Sequence, residues 1–454
     1  MRKILRRLTN KQESAVIAQR YFPVGPMANK GKMVAWRKVT EEKENEVMKQ
    51  IPGGVTAAKG FEAAGVEAAI KYKNRKDMAL VASTVPCKAA GTFTTNVVKA
   101  APVLWDKAIV ENSDFVQAVV VNSGVANACT GKQGIDCCET EAKCAGELLG
   151  IPAEAVLVAS TGVIGMQLPV DRITAGIKKL VEAKADTLEA GLDAAKAIMT
   201  TDTIHKEIAL EVEIGGKTVT LGGMCKGSGM IHPNMCTMLG FITTDVNISK
   251  ELLQKALSAD VVDSFNMISV DGDTSTNDTL LILANGLAGN AEITEEGADY
   301  DTFCEALHFI TTYLAKKMAG DGEGATALFE CKIVGAASKE DARILAKSVI
   351  CSSLTKAAIF GHDANWGRIL CALGYSGAKF DPENVDLYFQ SESGRIHIFG
   401  NGVACDYSEE EATRILSDPE VTAFVDMHMG DAEAVAWGCD LSYDYVKINA
   451  DYRS

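Results

Sequence analysis

One threonine, Thr237, lies in a sequence context in which its hydroxyl group could act as a nucleophile. A loop of small residues that begins at Lys226 runs into an apolar strand-like stretch, and Thr237 is placed where that stretch opens. Gly227 and Gly229 allow the backbone to fold closely over a neighbouring group, and a Pro-Asn pair just upstream favours a turn. Most threonines in such runs are merely buried. A hydroxyl at the start of a strand and beside a tight turn is nevertheless placed to attack the carbonyl that precedes it.

The stretch KGSGMIHPNMCTMLGFITTD resembles the self-cleavage signature of the bifunctional ornithine acetyltransferase/N-acetylglutamate synthase family of arginine biosynthesis, the ArgJ family. The resemblance implies that the chain breaks between Cys236 and Thr237, and that Thr237 then acts as an N-terminal nucleophile. A threonine hydroxyl needs a base beside it, and cleavage supplies the threonine's own α-amine, whose reference pKa is roughly 7.7–8.0. Cys236 and His232 stand where the family more often carries alanine. A rival interpretation makes Cys236 the nucleophile.

The same resemblance implies an oxyanion hole and a set of substrate contacts. Thr161 and Gly162, at a predicted strand end, match the family's pair of a threonine hydroxyl and a glycine backbone N–H. The substrate-binding positions of the family correspond to Thr200, Lys226, Thr237, Glu323, Asn449 and Ser454. A lysine suits the carboxylate of an amino-acid substrate, and a glutamate suits its amine. Without the family, Lys226 would be interpreted as a surface lysine, Glu323 as a loop carboxylate, and the last residues as a frayed end.

Two further segments resemble the family without a defined catalytic role. The loop at 122–131 matches a glycine- and asparagine-rich loop, although Val125 stands where asparagine is usual. The segment at 361–368, GHDANWGR, matches a tryptophan motif. Both are predicted to shape the site, and the resemblance as a whole runs from about Met48 to Ser454.

Composition excludes several classes of protein. The 454-residue chain carries a net charge of −15, which argues against nucleic acid or an anionic membrane surface as the main partner. No apolar run reaches the eighteen or so residues of a membrane-spanning helix. The thirteen cysteines include no C-x-x-C pair and the six histidines no H-x-x-x-H pair. These counts predict free thiols in a reducing, cytoplasmic compartment and no metal site.

The first 47 residues differ from the rest of the chain. Residues 1–40 hold ten Lys or Arg and one acidic residue, which is typical of a transit-type address. The family-like pattern starts at Met48, so we interpret 1–47 as a start-site artefact, with a mitochondrial presequence as the alternative. The predicted organisation is therefore an N-terminal extension (1–47), an α chain with the oxyanion hole (48–236) and a β chain that begins at the nucleophile (237–454).

Helical and strand-like segments alternate along the chain. Alternating residues at 208–214 and 217–221 flank Gly215-Gly216 and predict a β-hairpin that leads into the Lys226 loop. Helices are predicted at 134–149, 169–183, 192–199, 249–264, 302–319 and 338–358, and from Ser408. The mixture indicates a layered α/β fold with a mixed sheet. The resemblance implies, more narrowly, a layered sandwich with mixed sheets of the N-terminal-nucleophile type (DmpA/ArgJ-like).

The function implied by the resemblance is glutamate N-acetyltransferase. An acetyl group passes from N2-acetylornithine to glutamate through an acetyl-Thr237 ester, with ping-pong kinetics, in an assembly of two cleaved α/β pairs. No metal, nucleotide or prosthetic group is needed, and the residues do not decide whether acetyl-CoA is also a co-substrate. Two alternatives stay open. One is a self-processing peptidase or amidase, in which water accepts the acyl group, and the other is an uncleaved scaffold protein.

Overall fold

The computed structural model of the protein describes residues 48–232 and 238–450. Three predicted features lie outside the described residues: the N-terminal extension 1–47, the cleavage site at Cys236 and Thr237, and the substrate contact Ser454. Within the described ranges, no helix combines the length and the apolarity that crossing a membrane requires.

The described residues form sixteen strands and eleven α-helices. The strands are β1 (Met48–Ile51), β2 (Phe61–Val66), β3 (Met78–Phe93), β4 (Val116–Asn122), β5 (Val156–Ser160), β6 (Lys206–Ile214), β7 (Lys217–Lys226), β8 (Leu239–Thr244), β9 (Ile268–Ser269), β10 (Thr279–Ala284), β11 (Leu328–Ala336), β12 (Asp386–Ser391), β13 (Gly394–Gly400), β14 (Val403–Ala404), β15 (Glu420–Asp426) and β16 (Ala432–Cys439). The helices are α1 (Ala101–Asn112), α2 (Gly131–Leu149), α3 (Val170–Ala183), α4 (Leu188–Ala197), α5 (Lys250–Asp260), α6 (Ala298–Gly320), α7 (Lys339–Cys351), α8 (Ser353–Phe360), α9 (Trp366–Gly374), α10 (Glu409–Leu416) and α11 (Tyr443–Ala450).

The larger of two sheets is mixed. Its strands follow the order β1-β6-β7-β8-β10-β3-β4-β5, and β2 also pairs with β3. Most neighbours run antiparallel, but β8 runs parallel to β10 and β4 parallel to β5. Lys226 pairs with Leu239, and Leu239 pairs with Thr279. The end of β7 and the starts of β8 and β10 therefore lie side by side, at the same end of these neighbouring strands.

The smaller sheet has seven strands in the order β14-β13-β12-β15-β11-β16-β9. Its strand β11 runs parallel to β15 and antiparallel to β16, so this sheet is mixed as well. Helix α6 contacts β6 and β7 of the larger sheet and β11 and β16 of the smaller one. Because α6 packs against both sheets, its side chains Phe303, Leu307, Ile310 and Leu314 are fully buried, and each stabilises the fold by about 1.5–3 kcal/mol. The predicted layered α/β sandwich with mixed sheets is confirmed.

The hairpin that delivers the chain to the Lys226 loop is also confirmed. Strands β6 and β7 pair antiparallel in continuous register from Lys206 with Cys225 to Ile214 with Lys217. Gly215 and Gly216 have φ values of 57° and 70°, which is the left-handed pair that a tight two-residue turn of this type requires.

Several helix boundaries differ from the predictions, and the helix predicted at 249–264 is α5, which ends four residues earlier at Asp260. The helix predicted at 338–358 is two helices, because Ser352 takes an extended conformation and its side chain accepts a hydrogen bond from the Thr355 N–H as the N-cap of α8. The helix predicted at 302–319 begins at Ala298, and the one predicted at 192–199 is α4, which starts four residues earlier. A serine that caps a new helix competes with the helix that it would otherwise continue.

Candidate active site

A cavity of about 290 Å³ lies where the end of β7 meets the starts of β8 and β10. Six of the residues singled out from the sequence line it: Thr161, Gly162, Thr200, Lys226, Glu323 and Asn449. These residues come from five separate parts of the chain, which only the fold brings together. Met238, the residue that follows Thr237 in the sequence, lines the cavity as well. The size suits a ligand of a few heavy atoms, such as an amino acid.

The loop after β5 brings Thr161 and Gly162 to the wall of this cavity. The Thr161 N–H donates to the Asn122 carbonyl at 3.0 Å and the Val163 N–H to the Gly124 carbonyl at 3.2 Å, so the loop is fixed against the end of β4. Gly162 has a φ of 125°, and a Cβ there would lie 2.3 Å from the Gly124 carbonyl carbon, which only glycine avoids. Within the described residues, no hydrogen bond engages the Thr161 hydroxyl or the Gly162 N–H.

Lys226 is a buried cation at the cavity wall. It is the last residue of β7 and its exposed fraction is 8%. Its ammonium group forms no ion pair with any other residue that the structure describes. A buried charge is costly to leave unpaired. A ligand carboxylate in the cavity would supply the missing partner.

Asp202 holds the strands and loops around Lys226 in place. Its carboxylate accepts hydrogen bonds from the Lys206 ammonium at 2.8 Å, the Gly227 N–H at 2.7 Å and the Thr200 N–H at 3.0 Å. Burial acts to raise the pKa of Asp202, but the charges of Lys226 and Lys206 and these hydrogen bonds outweigh burial and lower the pKa to about 2. Asp202 is therefore ionised, and it positions Thr200 next to the cavity.

Glu323 lies in the cavity wall together with the last helix. Its backbone N–H donates to the Ser228 carbonyl at 2.8 Å, and its carboxylate accepts from the Asn449 amide of α11, also at 2.8 Å. A Cβ on Gly229 would lie 2.4 Å from the Glu323 carboxyl carbon, so a glycine at 229 leaves the space that the carboxylate occupies. The contact between Glu323 and Asn449 shows why residues near the chain end belong to the site.

Asp278 and Asn277 also line the cavity, and neither was predicted as a site residue. The Asp278 side chain is buried, and its Oδ2 has no hydrogen-bond partner in the described ranges. Burial raises the pKa of Asp278 well above its usual range, against the lowering effect of a hydrogen bond from Ser275 and of the Lys226 charge. The Asn277 amide donates to the Ser160 carbonyl at 2.9 Å, which ties this loop to the end of β5. The sequence signal was the run of polar residues directly before an apolar strand.

Both flanks of the segment 233–237 are anchored. Upstream, the Met230 and Ile231 N–H groups donate to the Asp271 carboxylate at 2.6 and 2.8 Å. The His232 ring lies 3.1 Å from the Ser269 hydroxyl, and burial, together with the nearby Lys347 charge, lowers the pKa of His232 to about 4. Downstream, the Met238 carbonyl accepts from the Thr279 N–H at 2.8 Å.

The two family-like segments lie in different places. The loop after β4 contacts the loop after β5 through Gly124, and Ala126 lines the cavity. In contrast, no residue of 361–368 lines it, and the Trp366 ring stacks on Phe399 at a centroid distance of 5.2 Å. Among the described residues, no group of three or more His, Cys, Asp or Glu side chains is placed to hold a metal ion.

Comparisons with known proteins identify the family to which the chain is similar. The family model of the ArgJ family matches residues 62–454. The chain is 54% identical over 409 residues to the arginine biosynthesis bifunctional protein ArgJ of Symbiobacterium thermophilum, which covers 90% of this chain and 100% of the relative. It is 51% identical over 397 residues to the protein of the same name from Thermotoga neapolitana, which covers 87% of this chain and 99% of the relative.

Two solved structures are similar to parts of the chain. The ArgJ protein of Bacillus halodurans is 47% identical, with a TM-score of 0.44, over 46% of this chain and 97% of the solved chain. The ornithine acetyltransferase of Mycobacterium tuberculosis, solved in complex with ornithine, is 40% identical, with a TM-score of 0.39, over 42% of this chain and 100% of the solved chain.

Proposed function

The chain belongs to the ArgJ family and is an acyltransferase of arginine biosynthesis, and from this premise we propose that it moves an acetyl group from N2-acetylornithine to glutamate through an ester on Thr237. The observation that carries the proposal is that one cavity of amino-acid size is lined by both an ammonium group without an ion pair, on Lys226, and a carboxylate, on Glu323. Both substrates are amino acids with a carboxylate for the lysine. Acetyl-CoA is proposed as a second acetyl donor, in line with the word bifunctional in the relatives' names.

The proposed reaction begins with maturation of the chain. The Thr237 hydroxyl attacks the Cys236 carbonyl, and the acyl group shifts from nitrogen to oxygen, which frees the threonine α-amine. Hydrolysis of the resulting ester then releases the Cys236 carboxylate and restores the Thr237 hydroxyl. This amine then serves as the general base for the same hydroxyl. The two cleaved chains remain together, and we propose that two such pairs form the working assembly.

Each half-reaction passes through a tetrahedral oxyanion. The Thr161 hydroxyl and the Gly162 N–H are not engaged by other described residues, so both are available to stabilise that charge, and the loss of one such donor costs about 10²–10³ in kcat. Acetylornithine acylates Thr237 and leaves as ornithine. Glutamate then enters the same cavity and takes the acetyl group on its amine.

The amidase alternative differs in its acceptor. A site for water needs no charged groups for an acceptor, whereas this cavity offers Lys226 and Glu323, and Asn449 holds the Glu323 carboxylate in place. The charged wall favours an amino-acid acceptor. With acetylornithine alone, the transferase should release ornithine only slowly, while an amidase should release acetate and ornithine at full rate.

Intact-mass measurement of wild-type protein and of Thr237→Ala tests the proposal. We expect wild type to give two fragments, one ending at Cys236 and one beginning at Thr237. Thr237→Ala should give one uncut chain without acetyl transfer, because the alanine has no hydroxyl. Thr237→Ser, the matched control, keeps the hydroxyl and should still be cleaved. Two fragments and normal turnover from Thr237→Ala would refute the mechanism.

A further inference from the structure

A second cavity, of about 140 Å³, adjoins the candidate active site. Four residues line both cavities: Gly162, Val163, Thr200 and Thr201. The second cavity continues from this shared wall to Tyr72 and Arg75. The loop that carries Thr161 and Gly162, called the oxyanion loop below, therefore has the first cavity (the proposed acyl site) on one side and the segment after β2 on the other.

The segment beside the second cavity is strongly basic. Residues 71–76 read Lys-Tyr-Lys-Asn-Arg-Lys, with four cations and no acid, in a chain whose net charge is −15. Lys76 pairs with Asp193, and the Arg75 guanidinium donates to the Met199 carbonyl at 2.6 Å. Lys71 and Lys73 form no ion pair with any residue in the described ranges. The Lys71 ammonium lies 5.3 Å from the centroid of the Tyr72 ring, and no described carboxylate neutralises either lysine.

Hydrogen bonds anchor the residues on either side of this basic segment, next to the loop after β4. The buried Asp77 accepts hydrogen bonds from the Ala68 and Ile70 N–H groups at 2.7 and 2.6 Å, while its own carbonyl accepts from the Ser123 N–H at 2.9 Å. Gly124 has a φ of 99°, and a Cβ there would lie 3.2 Å from the Lys71 Cβ. The small residue at 124 lets the basic segment pack close to the loop that carries Gly162.

Neither acetylornithine nor glutamate explains a cationic surface outside the acyl cavity. Both are small enough for the first cavity, and neither carries a phosphate. Lysine ammonium groups bind phosphates as point charges, and a basic rim raises the local concentration of a polyanionic substrate. A donor that fits has an acyl group at one end, phosphates at the other and a flexible arm between them.

We propose that Lys71, Lys73 and Arg75 bind the phosphates of acetyl-CoA, and that its acyl end reaches Thr161 and Gly162 across the shared wall. This inference rests on the proposed function and adds a binding surface used by only one of its two donors. The nucleophilic hydroxyl attacks the thioester carbonyl carbon, the carbon–sulfur bond breaks, and the thiolate takes up the proton that the hydroxyl loses. Free CoA leaves, and glutamate then takes the acetyl group as it does after acetylornithine.

The test is the double variant Lys71→Gln/Lys73→Gln, assayed with three acetyl donors and glutamate as acceptor. With acetyl-CoA, we expect the KM to rise about 3- to 30-fold, since two exposed ion pairs are lost, and the salt dependence of the KM to weaken. With acetylornithine, and with acetylpantetheine, which lacks phosphates, kinetic constants should stay at wild-type values. Lys107→Gln/Lys143→Gln, which removes two surface charges from α1 and α2, is the matched control and should change none of the three.

Other outcomes overturn the inference. An unchanged KM for acetyl-CoA in the double variant would show that the segment does not bind the phosphates. An equal loss with acetylpantetheine would place the effect on the acyl site. Wild-type protein that uses acetylornithine but not acetyl-CoA would reject this inference and the proposed second donor, but it would leave the proposed transfer from acetylornithine to glutamate standing. Failure with both donors would reject that transfer itself.

Discussion

Replacing Lys226 with Met should weaken substrate binding far more than it weakens the fold. Methionine keeps the length and the apolar stem of the side chain but removes the ammonium group. Lys226 is 8% exposed and forms no ion pair within the described part of the chain, so its charge serves no close ion pair of the fold. Water in a cavity of about 290 Å³ cannot fully replace a positioned charge that faces a ligand carboxylate.

The magnitude follows from the lost interaction. A hydrogen bond to a charged group contributes about 1.5–3 kcal/mol, and 1.36 kcal/mol corresponds to a factor of ten. The expected loss in kcat/KM is therefore about 10- to 150-fold, chiefly as a higher KM, because the carboxylate is held in both ground state and transition state. The fold loses one of two cations near Asp202. Lys226 is one of several groups that together lower the Asp202 pKa to about 2, and the Lys206 contact with Asp202 at 2.8 Å remains after the substitution.

Steady-state kinetics with each substrate varied in turn is the assay. Because Lys226 lies eleven residues before Thr237, the cleaved fraction is first measured by mass spectrometry and rates are expressed per cleaved chain. Lys226→Arg keeps the charge and should retain more activity than Lys226→Met. A fully cleaved Lys226→Met enzyme with wild-type KM values for acetylornithine and glutamate would refute the assignment of this lysine to the substrate carboxylate.

Two other substitutions test the geometry and the buried charges. Gly229→Ala should raise KM with little change in unfolding temperature, because the new Cβ would lie 2.4 Å from the Glu323 carboxyl carbon and displace the contact with Asn449; Gly374→Ala, at an open position, is the control, and equal kinetics would contradict the prediction. Burial raises the pKa of Glu141 from 4.5 to about 8, so its contribution to stability is complete below pH 4.5 and is lost as the pH rises toward 8. Between pH 4.5 and 8, the stability advantage of Glu141→Gln over wild type should therefore grow by about 1.4 kcal/mol per pH unit, and above that range it should level off. Denaturant unfolding measures this difference. A difference that does not depend on pH would contradict the raised pKa of Glu141.

The features that the sequence predicted well are those fixed by local chemistry. Gly215-Gly216 between two alternating runs predicts the hairpin, because few other residues adopt the left-handed conformation twice in succession. Gly150, which directly follows the helix predicted at 134–149, has a φ of 72° at the end of α2. The placement of six site residues around one cavity came from family resemblance, since no local pattern links Thr161 to Asn449 across almost three hundred residues of sequence.

The features that were missed depend on long-range burial. Asp278 and Asn277 stood in a polar loop, and the sequence does not show which polar side chain loses contact with water when the chain folds. Lys206 lies two residues before the predicted strand at 208–214, and no local pattern marks it as buried. The structure buries it between Asp202 and Asp321, at 2.8 and 2.6 Å, and this pairing joins residues more than one hundred positions apart.

The buried charges near the cavity explain why Lys226 remains available to a ligand. Lys206 is already paired with two carboxyl groups, those of Asp202 and Asp321. If Asp278 were ionised as well, it would neutralise the Lys226 charge and compete with the substrate carboxylate. Burial instead raises the pKa of Asp278 well above its usual range, even against the Lys226 charge, so that burial favours the neutral form of this carboxyl group. The burial of one carboxyl group thus preserves the positive charge that the substrate is proposed to meet.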